Sequence, residues 1–416
     1  MPEPRRVVIT GIGALTPIGT GVEALWNGLR KRTSAVREID RFDASMFKSR
    51  IAAQVDDFHP TDHIEERRIR RLDRFGQFSI AGARLALNDS EIDLSREDPE
   101  RVGAMMGTAL GGVAHAEAQY GKFITGGPRN VDPSLALTVF AGAASCNIAI
   151  EFGLCGPNGT NGMSCASGTI AIGEAFRIIS RGEADIMLGG AAEAPLAPLC
   201  FGAFAIIRAM STRNDDPTSA SRPFDKDRDG FVMAEGATVL VLEERSRALA
   251  RGAKVYAEIC GYGLTNDAHH MTVPRPDGRQ AARAMRIALA EAHVMPSEIG
   301  YINAHGSSTP LNDPTETGSI KQVFGEHAAS IPISGTKGYY GHALGASGAF
   351  EAAICALSSK RGWLPPTLNL TVPDPACDLD YLTGEGREAD PEYLLSNSFG
   401  FGGINGALVF RRDDGR

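Results

Sequence analysis

Apolar residues recur at helical spacings of three and four positions in three segments of the chain. This pattern predicts helices whose apolar stripe is buried. Thr20 and Glu23 stand three residues apart at the first segment and predict a capping box. Lys360, Arg361 and Gly362 follow the third segment and predict the end of its helix. The apolar positions are Val22, Leu25, Trp26 and Leu29 in the first segment, Ala166, Ile170, Phe176 and Ile179 in the second, and Ala346, Ala349, Phe350, Ala353, Ile354 and Leu357 in the third.

Short apolar runs in the two halves of the chain resemble one another and predict strands. Residues 7–11 have a counterpart in residues 257–261, and residues 236–241 have one in residues 406–410. No low-complexity linker divides the chain. We therefore predict an α/β protein built from two duplicated halves, residues 1–253 and 254–416. The apolar run after Arg5 and Arg6 superficially copies a signal peptide, but without a convincing cleavage site a strand is the better interpretation.

Cys165 directly precedes the second helical segment and follows a glycine-rich stretch. A cysteine at a helix N-terminus is exposed to unpaired backbone N–H groups and to the positive end of the helix dipole. Both favour the thiolate, which is the nucleophilic form of the side chain. We therefore expect Cys165 to attack an acyl carbonyl, although a free cysteine taken alone more often only packs in the core.

Two histidines stand in glycine-rich surroundings far downstream of the cysteine. A short apolar strand leads to His305, and Ser307 and Thr309 follow it in a turn. Lys337 lies five residues before His342, in a stretch whose glycines allow a close approach of the backbone to a ligand. The later loop 397–406 is also rich in glycine, so that its N–H groups could hold an oxyanion. One cysteine and two histidines together indicate carbon–carbon bond chemistry on a thioester.

The chain resembles the elongating β-ketoacyl-acyl-carrier-protein synthases, condensing enzymes of the thiolase superfamily. The match runs nearly end to end and includes Arg6–Gly13, Asn161–Gly168, Arg222–Asp225, Asp229–Val232, Asn397–Gly406 and Ala407–Phe410. The resemblance implies a thiolase-like five-layer α-β-α-β-α fold, in which two mixed sheets enclose central helices. The first half would supply the nucleophile and the second half the histidines, so that the active site lies between the halves.

The resemblance also implies the roles of the site residues. Cys165 would carry an acyl chain, and His305 and His342 would assist decarboxylation of a malonyl-carrier thioester, so that the product is a 3-oxoacyl thioester two carbons longer. The backbone N–H groups of Cys165 and Phe401 would form the oxyanion hole. The further roles are the gate at Phe401 and Gly402, orientation of the histidine region by Lys337 through Glu316, and binding of the pantetheine arm by Ser307 and Thr309.

The same resemblance implies a pocket for the acyl chain and surfaces for partners. The expected partner is an acyl carrier protein, and the expected assembly is a homodimer, with a heterodimer containing a chain-length factor as the alternative. Relatives can also hold a monovalent structural ion. The implied residues are Leu110, Phe140, Gly142 and Ala143 for the acyl pocket, Arg67, Arg70, Arg71, Arg129 and Arg208 for carrier docking, and Asn303, Glu351, Ser396 and Asn397 for the ion. Single arginines could equally belong to a solvated helix face.

Composition restricts the classes of function. A chain of 416 residues that is 43% hydrophobic has enough material for a large core, and a net charge of −8 argues against general nucleic-acid affinity. Seven cysteines without paired spacing indicate a reducing compartment, here the cytoplasm, and neither a disulfide framework nor a zinc site. No membrane span is predicted, and no cofactor beyond the carrier's phosphopantetheine. Residues 11–16 lack the third glycine of a dinucleotide fingerprint, and no other feature of the sequence indicates a nicotinamide cofactor, so we reject a hydride-transfer enzyme.

Three functional alternatives differ in their cysteines or their pathway. A non-catalytic chain-length factor would lose the nucleophile, whereas Cys165 is present. A thiolase would carry a second reactive cysteine in the late glycine loop, and residues 399–406 contain none. A ketosynthase of a specialised polyketide pathway, working with a chain-length-factor partner, stays open beside fatty-acid elongation. The acyl chain length and the starter unit also stay open.

Overall fold

The computed structural model describes residues 4–414. The strands of this part of the chain are β1 (Val7–Thr16), β2 (Gly19–Thr20), β3 (Val36–Glu38), β4 (Ile51–Ala53), β5 (Val102–Gly107), β6 (Asn158–Asn161), β7 (Ile186–Glu193), β8 (Gly236–Glu244), β9 (Ala257–Asn266), β10 (Ile299–Asn303), β11 (Ile333–Ser334), β12 (Trp363–Leu364), β13 (Arg387–Glu388), β14 (Tyr393–Gly400) and β15 (Ile404–Arg411). The α-helices are α1 (Val22–Lys31), α2 (Glu66–Ile69), α3 (Arg74–Ser90), α4 (Val113–Gly126), α5 (Leu135–Thr138), α6 (Ala143–Phe152), α7 (Ser167–Ser180), α8 (Pro198–Ile206), α9 (Arg245–Ala250), α10 (Arg279–Ala292), α11 (Asn312–Phe324), α12 (Lys337–Tyr340) and α13 (Ser347–Arg361).

The strand order is the same in the two halves. The first half has the order β6-β5-β7-β8-β1, and the second half has β11-β10-β14-β15-β9. In each series the first three strands are parallel to one another and the last two alternate in direction. The predicted counterparts are therefore confirmed, because β1 corresponds to β9 and β8 corresponds to β15.

The two sets of strands are joined rather than separate. Val7, Val8 and Ile9 of β1 pair with Ile259, Glu258 and Ala257 of β9 in antiparallel register. The family resemblance implies two mixed sheets. This short ladder joins the strands of both halves into one continuous sheet.

Glycines of the first strand in each half allow a helix to pack closely on it. A Cβ atom at Gly13 would lie 1.9 Å from the carbonyl oxygen of Gly82 on α3. A Cβ atom at Gly263 would lie 1.9 Å from the carbonyl oxygen of Ala284 on α10. These glycines therefore serve helix–strand packing, which explains the partial resemblance of residues 11–13 to a dinucleotide motif.

The core holds two central helices. Helix α7 packs on β5 and β7 and also contacts β9 and β15, while α13 packs on β14 and also contacts β1 and β8. Helices α3 and α10 cover the outer faces, which gives the five layers. Helix α13 is buried around nearly its whole circumference and ends before Gly362, whose φ is 65°, as predicted.

The predicted capping box at Thr20 is wrong. Helix α1 is preceded by Gly21, which provides no side-chain cap. Thr20 instead lies in β2, where it pairs with Leu15 of β1. The apolar run after Asp185 is the buried strand β7. Within residues 4–414 no helix is long and apolar enough to cross a membrane. All seven cysteines are free.

Candidate active site

Cys165 lies in a 3-10 turn, Ser164–Ala166, that leads directly into α7. Its side chain is buried, with 7% of its surface exposed. The backbone N–H of Phe401 is directed at the sulfur, and the hydroxyl of Ser164 lies 3.8 Å from it. The nucleophile is therefore placed at the start of a central helix, as the sequence predicts.

The expectation of a lowered Cys165 pKa is not met. Burial raises the pKa of this thiol above its ordinary value. The hydroxyl of Ser164, the charge of Lys337 and the N–H of Phe401 act in the opposite direction without reversing it. Desolvation disfavours a thiolate more than these partners favour it, so the sulfur rests as a thiol before substrate arrives.

His305 follows the end of β10, and its position is fixed by two buried charged residues. Lys337 donates from Nζ to the carbonyl oxygen of His305 at 2.5 Å and lies 3.4 Å from its Nδ1. Glu316 accepts from the backbone N–H groups of His305 and Gly306 at 2.8 and 2.9 Å. Because an ammonium group can only donate, Nδ1 of His305 is the acceptor and Nε2 carries the proton.

His342 is held between the two halves of the chain. Its backbone N–H donates to the carbonyl oxygen of Val232 at 2.7 Å, and its carbonyl accepts from Ala234 at 2.9 Å. Its Nδ1 lies 2.7 Å from the hydroxyl of Ser347, the first residue of α13. A hydroxyl that donates here leaves the proton of His342 on Nε2, which matches the state of His305.

The two imidazoles are close and uncharged. Their ring centroids are 5.4 Å apart in an edge-on arrangement. Burial is the main cause that holds both pKa values well below the usual 6.5, and the positive charge of Lys337 adds to it. Two neutral N–H donors facing one cavity can stabilise a developing enolate oxygen.

Lys337 and Glu316 both contact the backbone of His305, so their expected role in orienting the histidine region stays a prediction. The carboxylate bonded to Lys337 is Glu351 of α13, and this pair is fully buried. Glu316 instead accepts a hydrogen bond from the backbone N–H of His305. Burial raises the pKa of Glu316 and of Glu351 to about 7.

Asn303 of β10 pairs with Ser396 of β14, Asn397 follows Ser396, and Glu351 is on α13, which packs on β14. Each of these four residues has a buried side-chain atom without a hydrogen-bond partner among the described residues: Nδ2 and Oδ1 of Asn303, Oε2 of Glu351, Oγ of Ser396 and Oδ1 of Asn397. Oxygen donors with a single carboxylate suit a hard cation of low charge. The four residues therefore fit the monovalent ion that the sequence resemblance implies, and the described residues contain no cluster of three or more histidine, cysteine or acidic side chains suited to another metal.

The glycine-rich turn between β14 and β15 covers the thiol. The ring of Phe401 stacks on Phe204 with centroids 6.2 Å apart. Gly402 and Gly403 have φ values of 85° and 74°, which a side chain would disfavour. A Cβ atom at Gly400 would lie 3.1 Å from the backbone nitrogen of Cys165. Close contact with the nucleophile turn therefore depends on these glycines.

One cavity of about 390 Å³ brings the predicted reactive residues together. Cys165, His305, His342 and Phe401 line it. Ser307 and Thr309 line it as well, and their hydroxyls are 2.9 Å apart. The cavity thus brings together a thiol, two neutral imidazoles and two hydroxyl groups.

Family models match both halves of the chain. The model described as "Beta-ketoacyl synthase, N-terminal domain" matches residues 4–248, and the model described as "Beta-ketoacyl synthase, C-terminal domain" matches residues 256–371. The chain belongs to the β-ketoacyl synthase family. Curated relatives named 3-oxoacyl-[acyl-carrier-protein] synthase 2 include one from Synechocystis sp., 45% identical over 410 residues, and one from Staphylococcus aureus, 43% identical over 412 residues. In each case the match covers 99% of this chain and 99% of the relative.

Solved structures agree with the predicted thiolase-like fold. The ishigamide ketosynthase/chain length factor is similar with a TM-score of 0.93 and 36% identity, over 99% of this chain and 100% of that one. A type II PKS acyl-carrier protein in complex with its ketosynthase gives 0.92 and 37%, with the same coverage. A β-ketoacyl synthase from Burkholderia phymatum gives 0.90 and 38%, over 98% of this chain and 100% of that one.

The residues expected to form the acyl pocket of this β-ketoacyl synthase do not line the cavity in the single chain. Leu110 packs in the same cluster as Phe231 and Leu344, which are cavity residues. Phe140 is exposed, Gly142 is half-buried and Ala143 is buried at the start of α6. Their role in an acyl pocket therefore stays a prediction.

Of the arginines expected to dock a carrier, only Arg208 lines the cavity. Arg67, Arg70 and Arg71 are on or beside α2. Arg67 pairs with Glu65 and Arg70 with Glu66 across an exposed surface. Arg129 is exposed after α4.

Sequence reasoning missed three residues at the site of this β-ketoacyl synthase. Glu193 ends β7 and accepts from the backbone N–H groups of Ala109, Leu110 and Gly345. Ser347 contacts His342, and Ser164 contacts Cys165. A carboxylate at the end of an apolar strand was a usable signal for Glu193, whereas the two serines depend on a turn geometry that the sequence does not reveal.

Proposed function

We propose that this β-ketoacyl synthase is a 3-oxoacyl-[acyl-carrier-protein] synthase that performs decarboxylative Claisen condensation. Sγ of Cys165 attacks the carbonyl of an acyl-carrier thioester, and the carrier's phosphopantetheine leaves as a free thiol that takes up the proton of Cys165. Malonyl-carrier then loses carbon dioxide, and Nε2–H of His305 and of His342 stabilises the enolate oxygen. The enolate carbon attacks the acyl-cysteine carbonyl, whose oxyanion is held by the N–H groups of Cys165 and Phe401. The thiolate leaves, and the 3-oxoacyl product is two carbons longer.

The observation that supports this proposal is the meeting of Cys165, His305 and His342 in one cavity. A nucleophile divides the condensation into two steps, and the histidines serve only the second. Their low pKa values keep both N–H groups neutral near pH 7. Ser307 and Thr309 are suited to hold the pantetheine arm along the cavity wall, and Phe401 with Gly402 is suited to gate it.

A second candidate is the ketosynthase subunit of a polyketide pathway that acts with a chain-length-factor partner. Similarity to the ishigamide ketosynthase/chain length factor favours it. The identity of 45% with a 3-oxoacyl-[acyl-carrier-protein] synthase 2 ranks fatty-acid elongation first. A non-catalytic subunit ranks below both, because nucleophile and donors are all present.

We further propose a homodimer that buries the surface around α4 to α6. Tyr120, Ile124, Leu137 and Ile150 are more than 60% exposed there. Exposed large apolar side chains concentrated in one region of a chain are typical of an interface. Phe140 and Gly142 lie in the same region of the chain, so a partner subunit could complete the acyl pocket.

The boundary between the two halves of the chain would lie between residues 253 and 254. The free cysteines support a reducing, cytoplasmic setting.

Intact-mass measurement with a ladder of acyl-carrier thioesters tests the function. The wild type should gain the mass of the acyl group and lose it on addition of malonyl-carrier, with release of a product two carbons longer. Cys165→Ala should gain none. The absence of any adduct on wild type, with a carrier shown to be acylated, would contradict a self-sufficient synthase. An adduct that appears only with a second subunit would favour the polyketide candidate.

A further inference from the structure

Ser164 directly precedes the nucleophile, and its backbone lies in the left-handed region with φ of 52°. This conformation costs a non-glycine residue free energy, and serine has no special tolerance for it. Its hydroxyl is 3.8 Å from the sulfur of Cys165. The hydroxyl thus contacts the reacting atom from a backbone position that glycine would adopt more readily.

The second half of the chain contains the same turn without a hydroxyl. Leu344 has φ of 44°, begins the 3-10 turn Leu344–Ala346 and is followed by α13 at Ser347. Ser164 begins the 3-10 turn Ser164–Ala166 and is followed by α7 at Ser167. Since leucine occupies the position in one half, the left-handed conformation belongs to the turn and needs no polar side chain. The hydroxyl is an addition specific to the nucleophile turn.

We propose that the hydroxyl of Ser164 donates a hydrogen bond to the sulfur of Cys165 and stabilises the thiolate that attacks the acyl carbonyl. This makes Ser164 a catalytic residue of the acylation step. A buried thiolate needs donors to replace water. The N–H of Phe401 is also directed at the sulfur, but the proposed oxyanion hole requires it once attack begins. Ser164 can stay with the sulfur throughout.

The charged and titratable groups that face Cys165 do not replace this contact. Lys337 favours the thiolate through its charge, and Glu193 disfavours it. His305 and His342 line the same cavity as neutral rings. Among the described residues, Ser164 supplies the side-chain hydrogen bond to the sulfur.

The test measures the rate at which iodoacetamide alkylates Cys165 as a function of pH, followed by peptide mass. Ser164→Ala removes the hydroxyl and keeps the backbone cost, while Ser164→Gly removes both. Both variants should shift the apparent pKa of Cys165 upward by about 0.5–1 unit, so that alkylation near pH 7 slows roughly threefold to tenfold. Exposed Cys155 in the same sample is the internal control, and its profile should not move.

An unchanged Cys165 profile in both variants would overturn the proposal, and so would a shift in Ser164→Gly alone, because that result assigns the effect to the backbone. If Ser164→Ala fails to fold, Ser164→Gly is compared with Ser164→Thr, which keeps a hydroxyl. The alkylation profile of Cys165 must then shift in Ser164→Gly and match the wild type in Ser164→Thr. The inference rests on the proposed role of Cys165. Alkylation reports on the sulfur whether or not condensation occurs, so failure of one does not imply failure of the other.

Discussion

Nζ of Lys337 contacts both Glu351 and the carbonyl oxygen of His305, so one buried ammonium group links central helix α13 to a proposed catalytic histidine. The side chains of Lys337 and Glu351 are almost completely buried. A buried pair of this kind adds little net stability, but the loss of one partner leaves an uncompensated charge. The pair therefore couples the folding of the core to the position of the imidazole.

Removal of the charge at Lys337 should lower the stability of the folded protein. Lys337→Met leaves Glu351 without its cation, and the free energy of unfolding should fall by about 3–5 kcal/mol. Lys337→Met combined with Glu351→Gln removes both charges and should recover much of that loss. Urea denaturation of the four proteins in this cycle measures it. A loss in the double variant equal to the sum of the two single-variant losses would show that the pair is not coupled.

Ser347→Ala should impair the second half-reaction selectively. The hydroxyl of Ser347 fixes the proton of His342 on Nε2, and without it the other tautomer becomes accessible. Decarboxylation of malonyl-carrier should slow by roughly twofold to tenfold, since a hydrogen bond is worth about 0.5–1.5 kcal/mol. Acylation of Cys165, measured by intact mass in a single turnover, should be unchanged and serves as the internal control. An equal slowing of both steps would indicate a general structural defect instead.

The three candidate catalytic residues could be predicted from the sequence because each stands in its own local motif. Cys165 precedes a helix, while His305 follows a strand and His342 lies among glycines. Glu351 could not be assigned to Lys337 in the same way, since the two are brought together only when α13 packs into the core. Thr20 shows the same limit, because pairing of β2 with Leu15 overrides a local capping signal. The strand counterparts were predictable because duplication repeats the apolar pattern.

The sequence also could not show where the expected acyl-pocket residues lie. Leu110 packs in a cluster with cavity residues, and Phe140 lies on the surface. Motif resemblance assigns residues to a pocket without saying which subunit completes it. The thiol pKa was also misjudged, since the helix N-terminus is visible in the sequence while the extent of burial is not.

The two half-reactions should depend on pH in different ways. The pKa of Cys165 lies above its ordinary value, so the thiolate fraction should rise about tenfold per pH unit between about pH 6 and 8. The pKa values of His305 and His342 lie well below 6.5, so both stay neutral over that range. Alkylation of wild-type Cys165 should therefore increase with pH, whereas the histidines themselves should add no pH dependence to decarboxylation of malonyl-carrier by Cys165→Ala. Glu316 and Glu351, whose pKa values lie at about 7, titrate within the same range. A fall in decarboxylation between pH 7 and 6 that persists after both are replaced by glutamine would contradict neutral histidines.

A monovalent alkali cation should stabilise the folded protein through the unpartnered oxygens of Asn303, Glu351, Ser396 and Asn397. Replacing potassium or sodium with tetramethylammonium at constant ionic strength should lower the free energy of unfolding by about 1–3 kcal/mol, by the linkage between binding and folding. Ser396→Ala should weaken this dependence. Ser359→Ala removes another buried hydroxyl without a recorded partner, outside this group, and should leave the dependence intact. Identical denaturation curves in the two salts would exclude a stabilising ion.

The arginine surface on and beside α2 should steer an acidic carrier toward the cavity, although its residues lie outside the cavity itself. Arg70→Glu combined with Arg71→Glu should lower kcat/KM for acyl-carrier roughly tenfold at low salt and less at high salt, because screening weakens steering. Turnover of a small pantetheine thioester, which needs no docking surface, should stay the same. Arg96→Glu is the matched control, since Arg96 is an exposed, ion-paired arginine outside this surface. If the double variant has the same kcat/KM as Arg96→Glu with both substrates, the arginines form a solvated helix face and the carrier binds elsewhere. Arg208, which lines the cavity, is then the next residue for charge reversal.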